Sequence, residues 1–208
     1  MRRRSTVRSR VAVAVAALLP ALAPWAPPAV AAGHTVAVAL FYAPTPVTEY
    51  SGLIPEEYAS EDMSAKLVAA SAGRFSVVPR GQVRTQEGGL RWREWDALRF
   101  ARLSELGRAA GADRVVVGWI ESLVLDRFGG GGNNFDFGGE GGGVLAGLAV
   151  VTAQVFDVSQ GRIVYQTKVA GHSFGTLPML AVQNALDDAV RRAAAGIPDS
   201  LTAEPGAP

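Results

Sequence analysis

The 208-residue sequence contains no cysteine. Its absence excludes disulfides, thiolate chemistry and lipid attachment through cysteine, so the fold must be held by packing alone. There are two histidines, His34 and His172, too few for a histidine-rich metal site or a dependable serine–histidine relay. No G-K-[ST] string occurs, which removes the phosphate-cradling P-loop. No Lys/Arg stripe lies outside the amino terminus, so a nucleic-acid-binding surface is not expected. Beyond the first apolar run, no stretch is long and apolar enough for a membrane helix.

The basic charge that does exist is concentrated at the start. MRRRSTVRSR carries five arginines and no acid. An apolar run of about thirteen residues follows from Val11 to Ala23, interrupted by Pro20, and PWAPPAVAA ends in small residues. That layout predicts a secretory signal peptide over residues 1–32, cleaved near Ala32. The Arg-Arg pair does not fit twin-arginine export, because Ser5 and Thr6 stand where apolar residues belong. Without those residues the chain keeps fifteen basic and nineteen acidic side chains, a net charge of −4. One exported domain over residues 33–198 is expected, large enough for a real core, with a flexible tail over 199–208.

Hydrophobic patterning orders that domain. HTVAVALFYA (34–43) has strand length and ends in APTP. Residues 55–73 read as a helix, opened by Pro55, with Met63, Leu67 and Ala70 at helical spacing and Gly73 as its stop. RFSVVP (74–79) reads as a short strand, and RGQVRTQEGGLRW as a polar loop. Trp95–Ala110 reads as a second helix with Trp95, Leu98, Leu103, Leu106 and Ala110 on its apolar face. DRVVVGWIESLVLDRF (113–128) begins wholly apolar and then alternates, as a strand buried first on both faces and then on one. LAVVTAQVFDV (148–158) and RIVYQTKVAG (162–171) form a hairpin through SQGR, with Asp157 capping the turn. A last helix starts near Pro178, with Met179, Val182, Leu186, Val190 and Ala193 in a stripe as far as Gly196. The fold class is therefore α/β: a single domain with a mixed five-stranded sheet in the order β-α-β-α-β-β-β-α.

Between the third and fourth strands lies the oddest composition in the chain, a glycine-rich insertion over residues 129–147. Nine of the fifteen residues from Gly129 to Gly143 are glycine. Gly141–Ala146 satisfies the relaxed G-x-G-x-x-A string, but a dinucleotide loop must open a helix, and this one leads into a strand. No cofactor is therefore expected. The candidates for partner contact are Phe128, Asn133, Asn134, Phe135 and Phe137 in and beside that run, with Trp92 as a further aromatic anchor. Slack and a partner-ordered loop remain equally open readings of the insertion.

Carboxylates are scattered, not convergent. Glu56, Glu57, Glu61, Asp62, Asp187 and Asp188 read as solvated helix faces. Glu121 shares strand parity with Trp119 and Leu123 and faces a partner or a pocket, yet the sequence ties no second group to it. His34 reads as exposed near the cleavage site and His172 as a loop residue at a strand end. No catalytic, cofactor or metal set emerges, so the expectation is a non-enzymatic protein without an evident small-molecule substrate.

Three short strings, in this order and spacing, carry a resemblance: RFSVVPRGQV (74–83), GADRVVVG (111–118) and DVSQGRIV (157–164). Together they resemble the CsgG family and its relatives, the LpoB-type envelope lipoproteins and the TolB amino-terminal domain, over residues 35–196. The resemblance implies a non-enzymatic envelope protein that binds a protein partner or assembles into a homo-oligomer. CsgG itself builds an outer-membrane pore from two extended hairpins. The present sequence lacks the lipobox cysteine and has only one insertion, and a membrane hairpin needs roughly 20–25 residues with its turn. A CsgG-like secretion component with peripheral or inserted membrane contact is accordingly the alternative, and an exported hydrolase ranks third.

Overall fold

The computed structural model describes residues 33–43, 53–128 and 144–202. Five strands and four helices follow the expected order with one helix added. They are β1 (Thr35–Val38), α1 (Pro55–Ser71), β2 (Ser76–Val77), α2 (Arg80–Gly89), α3 (Phe100–Ala110), β3 (Arg114–Phe128), β4 (Val144–Asp157), β5 (Arg162–Gly175) and α4 (Pro178–Thr202). The sheet order is β2-β1-β3-β4-β5. β1 pairs in parallel with both β2 and β3, and β3, β4 and β5 form an antiparallel meander. The sheet is therefore mixed, as the crossover helices and the hairpin demanded.

Each face of the sheet has its own core. On one face α1 and α4 cover Val36, Val38, Val116, Ala149, Val151, Ala153 and Val155, with Phe41, Met63, Leu67, Leu186 and Ile197 between the layers. On the other, α2 and α3 cover Ala37, Ala39, Val115, Val117 and Phe156 with Val83, Leu103 and Leu106. Both faces of the first half of β3 are thus buried, as its apolar run foretold. α4 sits unusually close to the sheet. A Cβ on Gly147 would lie 2.2 Å from the Ala181 carbonyl oxygen, and one on Gly171 would lie 2.1 Å from that of Ala185.

Four expectations need correction. RGQVRTQEGG is a helix and not a loop, because its inward face carries Arg80, Val83 and Glu87 instead of three apolar residues. Arg80 and Glu87 satisfy one another at 2.7 Å, which lets a polar segment be buried. Trp95–Ala110 is not one helix: Glu94–Leu98 is a 3₁₀ turn and Arg99 is extended before α3 begins. That break changes the helical phase, so Trp95 and Leu98 are exposed and Ala97 is buried. Trp95 instead lies under the Arg93 guanidinium, 5.3 Å from its ring centroid.

The third concerns the ends of the meander. β4 begins at Val144 and β5 runs on to Gly175, each four residues beyond its expected end. The fourth concerns α4, which passes Gly196 and Pro198 and ends at Thr202, inside the segment expected as a tail. Met179, expected in its buried stripe, is exposed at its first turn.

The turn expectations hold. Gly111 caps α3 at φ 67°, and Gly161 takes φ 64° in the β4–β5 turn. Asp157 Oδ1 accepts from the backbone N–H groups of Ser159 and Gln160 and from Ser159 Oγ.

Candidate functional site

Pairing across the meander fixes which side chains share a face. Beyond Trp119 and Thr152, the rows on the α2/α3 side are Ser122–Val150–Ala170, Val124–Leu148–His172 and Asp126–Ala146–Phe174, closed by Val144 opposite Phe128. None of the described side chains in these rows is buried. On the opposite face of the same strands, Ala149, Gly147, Gly171 and Leu145 are all buried under α4. No described element packs on the first face here, because α2 and α3 reach only as far as Val117 and Phe156. Among the described residues, the outer end of the meander is thus an uncovered, largely apolar surface.

Phe174 is its most prominent member, 71% exposed. Val124 and Val144 on the same face are exposed too, and so are Leu177, Met179 and Leu180 where β5 passes into α4. Burying a side chain of this size contributes about 1.5–3 kcal/mol.

β5 is also the outermost strand, so its far side is paired with no described strand. At His172 that side is already occupied, since its N–H donates to Asp188 Oδ2 at 3.3 Å. Asp188 is held in turn by Arg191 and Arg192, and these contacts lower its pKa despite its partial burial, which acts the other way.

A polar row separates the uncovered surface from the core under α3. A bulge between Ile120 and Ser122 leaves Glu121 without a ladder partner. Its carboxylate accepts from Thr152 Oγ1 at 2.6 Å and from Trp119 Nε1 at 3.3 Å, and pairs with Lys168. Lys168, then Thr152, hold the Glu121 pKa below the ordinary glutamate value. Sequence parity placed Glu121 correctly beside Trp119. The bulge, invisible in the pattern, turns Leu123 to the opposite face, where it packs on the α1/α4 core.

The predicted contact residues divide accordingly. The Phe128 backbone closes the uncovered face opposite Val144. Asn133, Asn134, Phe135 and Phe137 lie outside the described residues. Trp92 stands apart from this surface; it is half-buried against the α2/α3 core, with the Arg102 guanidinium 5.8 Å from its ring centroid. Sequence reasoning missed Phe174, Val124 and Val144. Phe174 could have been found from the alternation TKVAGHSFG, which continues past the glycine taken as the strand end.

The helical acids are more structured than simple solvation. Lys66 on α1 bridges Asp62 at 3.1 Å and Asp187 of α4 at 2.9 Å. Burial is the largest influence on Asp62 and raises its pKa against the pull of Lys66. His34 meets Asp113 Oδ2 at 3.2 Å and lies beside the buried Arg114–Asp157 pair, so it is half-buried and not exposed. Among the described residues no group of three metal-ligating side chains converges, and no helix is long and apolar enough to cross a membrane.

No protein-family model matches the sequence, and no curated protein matches it. Solved structures do share the fold. The chain is similar to the lipoprotein GNA1162 from Neisseria meningitidis, at 12% identity and a TM-score of 0.50, over 69% of this chain and 85% of that one. It also aligns with the LpoB carboxyl-terminal domain from Salmonella enterica, at 17% identity and a TM-score of 0.39, over 66% and 82% of the two chains. A third is the PelC dodecamer from Paraburkholderia phytofirmans, at 16% identity and a TM-score of 0.44, over 78% and 89%. At these identities the likeness is one of fold, and the GNA1162 match alone reaches the TM-score at which it carries weight.

Proposed function

We propose that this protein is a non-enzymatic, exported protein of the cell envelope that acts by holding another protein at the outer end of its β-meander. The observation that carries the reading is the apolar face around Phe174, on which no described element packs. Such an arrangement suits an apolar segment of a partner laid across the meander, over Val124 of β3, Leu148 of β4 and Phe174 of β5. Export is supported by the arginine-rich, apolar leader, and the resemblance to CsgG- and LpoB-type envelope proteins points the same way. Phe128, Asn133, Asn134, Phe135 and Phe137 belong to this proposal as contacts contributed beside Val144, and the absence of cysteine supports a protein not lipidated on that residue.

Phe174→Asp tests the reading. The side chain is exposed, so stability is expected to change by no more than about 0.5 kcal/mol. A protein captured from envelope extract by the wild type should be lost by the variant. Identical partners with both proteins, or co-sedimentation with protein-free lipid vesicles that the variant abolishes, would sink it. The second result would point to membrane contact instead.

A further inference from the structure

A second site lies at the β1–β2 edge of the sheet, on the side away from β5, and the proposal above does not depend on it. β1 and β2 are parallel, and beyond their carboxyl ends a cleft of about 240 Å³ opens between α1 and α2, lined by Leu40, Glu57, Arg80, Arg84, Glu87, Gly88, Arg91 and Trp92. In open α/β sheets the crevice outside the strand carboxyl ends is where ligands bind, at the point where connections diverge. The switch point here falls between β1 and β3, and this cleft adjoins it on the β2 side, where Leu40 follows β1.

The lining is rich in donors and poor in acceptors. The Arg80 side chain is only 4% exposed, yet among the described residues its Nε–H has no acceptor, and the buried Trp92 Nε1–H has none either. Glu87 points elsewhere. One of its oxygens takes the Arg80 terminal nitrogen at 2.7 Å, and the other takes the Leu40 N–H at 2.7 Å. Arg84 reaches outward to Glu61 at 2.6 Å. Arg91, exposed and held at φ 53°, has no partner among the described residues. Buried donors without acceptors are rare in folded proteins and are costly unless something supplies the missing oxygen.

We infer that this cleft binds a carboxylate group of a peptide, either an acidic side chain or a free chain terminus. Arg80 is taken by Glu87 and Arg84 by Glu61, so Arg91 is the lining guanidinium left to meet an incoming carboxylate. The planar guanidinium fork is suited to carboxylate oxygens, with Leu40 and the Trp92 indole as the apolar wall. A phosphate dianion would bring its second charge toward Glu57 and Glu87. At about 240 Å³ the cleft is smaller than the usual 300–1,000 Å³ ligand pocket, so it takes one residue-sized acidic group and not a nucleotide.

The test uses the ¹⁵N-labelled protein and the indole N–H resonance of Trp92, assigned with Trp92→Phe. The probes are acetyl-glycyl-glycine, which has a free terminal carboxylate, the α-amide of N-acetyl-glutamate, which carries only the side-chain carboxylate, and inorganic phosphate. A saturable shift with a Kd on the order of 1 mM is expected for at least one carboxylate probe, and the stronger of the two identifies the source. Arg91→Ala and Arg84→Ala, both at exposed positions, should each weaken binding by about tenfold. No saturable shift, or phosphate binding more tightly than either carboxylate, overturns the inference. So does unchanged affinity in both arginine variants. Because Phe174 lies at the far end of the meander, Phe174→Asp should leave the titration unaltered, which separates failure here from failure of the proposed docking surface.

Discussion

Replacing Gly171 by alanine adds one methyl group in the worst available place. The new Cβ would lie 2.1 Å from the Ala185 carbonyl oxygen, 2.3 Å from the Ala189 nitrogen and 2.9 Å from the Ala189 Cα. Favourable non-bonded contact needs about 3.5–4 Å, so the gap must widen by more than ~1 Å. The obstructing atoms are backbone, which no rotamer change can move. α4 must therefore retreat from β4 and β5, loosening Leu186, Val190 and Ala193, all of them fully buried against the sheet. Overpacking of this kind costs typically 1–3 kcal/mol, and an immovable neighbour puts Gly171→Ala at about 3 kcal/mol. In a domain of this size that lowers Tm by roughly 6–12 °C. Gly81→Ala is the control: it lies inside α2 with nothing within 4 Å, so the same methyl should stabilise by about 0.5–1 kcal/mol. Urea unfolding and scanning calorimetry read both. A cost below about 0.5 kcal/mol for Gly171→Ala, or equal effects at the two glycines, would refute the close seating of α4.

Other perturbations give distinct signatures. Glu87→Ala strands the buried Arg80 guanidinium and frees the Leu40 N–H, so a loss of about 3–5 kcal/mol is expected in chemical unfolding. Asp157→Asn removes the charge facing Arg114 at 2.8 Å and should cost about 3 kcal/mol at pH 7. The Asp157 carboxyl is held below its ordinary pKa: burial opposes this, but the Ser159 and Gln160 donors and Arg114 outweigh it. Its stabilisation is therefore complete above the unfolded-state value of about 3.9 and is lost as pH falls through the lower folded-state value. The gap between wild type and Asp157→Asn should accordingly narrow in urea titrations carried below about pH 4. Glu121, Asp96 and Asp188 shift in the same direction and add to this acid sensitivity, whereas Asp62 is raised and acts against it.

Legibility in the sequence followed the source of each element's stability. β3, β4, β5 and α4 are built from apolar residues at the periods of 2 and 3.6, and their order gave the mixed sheet and the hairpin directly. Turn chemistry was equally readable, because Asp157 and Gly161 act within their own turn. α2 escaped detection because its buried face is an ion pair seven residues apart, so its composition is that of a loop while its environment is that of a core. The 3₁₀ turn at Glu94–Leu98 escaped for a different reason. One extended residue, Arg99, resets the helical phase, and a periodicity count across it assigned Trp95 to the wrong side.

The candidate site was half legible, and the missing half is a matter of tertiary cover. Alternation in β4 and β5 shows that one face is apolar on every second residue, but not which stretch of that face a helix reaches. α3 is eleven residues long, and the core it forms with α2 reaches Val117; β3 continues for more than ten residues past that point. Alternation that would be ordinary core patterning under a longer helix therefore leaves Val124, Val144 and Phe174 exposed. The glycine-rich run drew attention in the sequence because its composition is extreme. The structure moves the weight to the strands that flank it, whose composition is ordinary and whose exposure is not. A short helix on a long meander is enough to leave an apolar face exposed among the described residues without any local motif, so such a face is found by comparing the lengths of packed elements and not by searching for signatures.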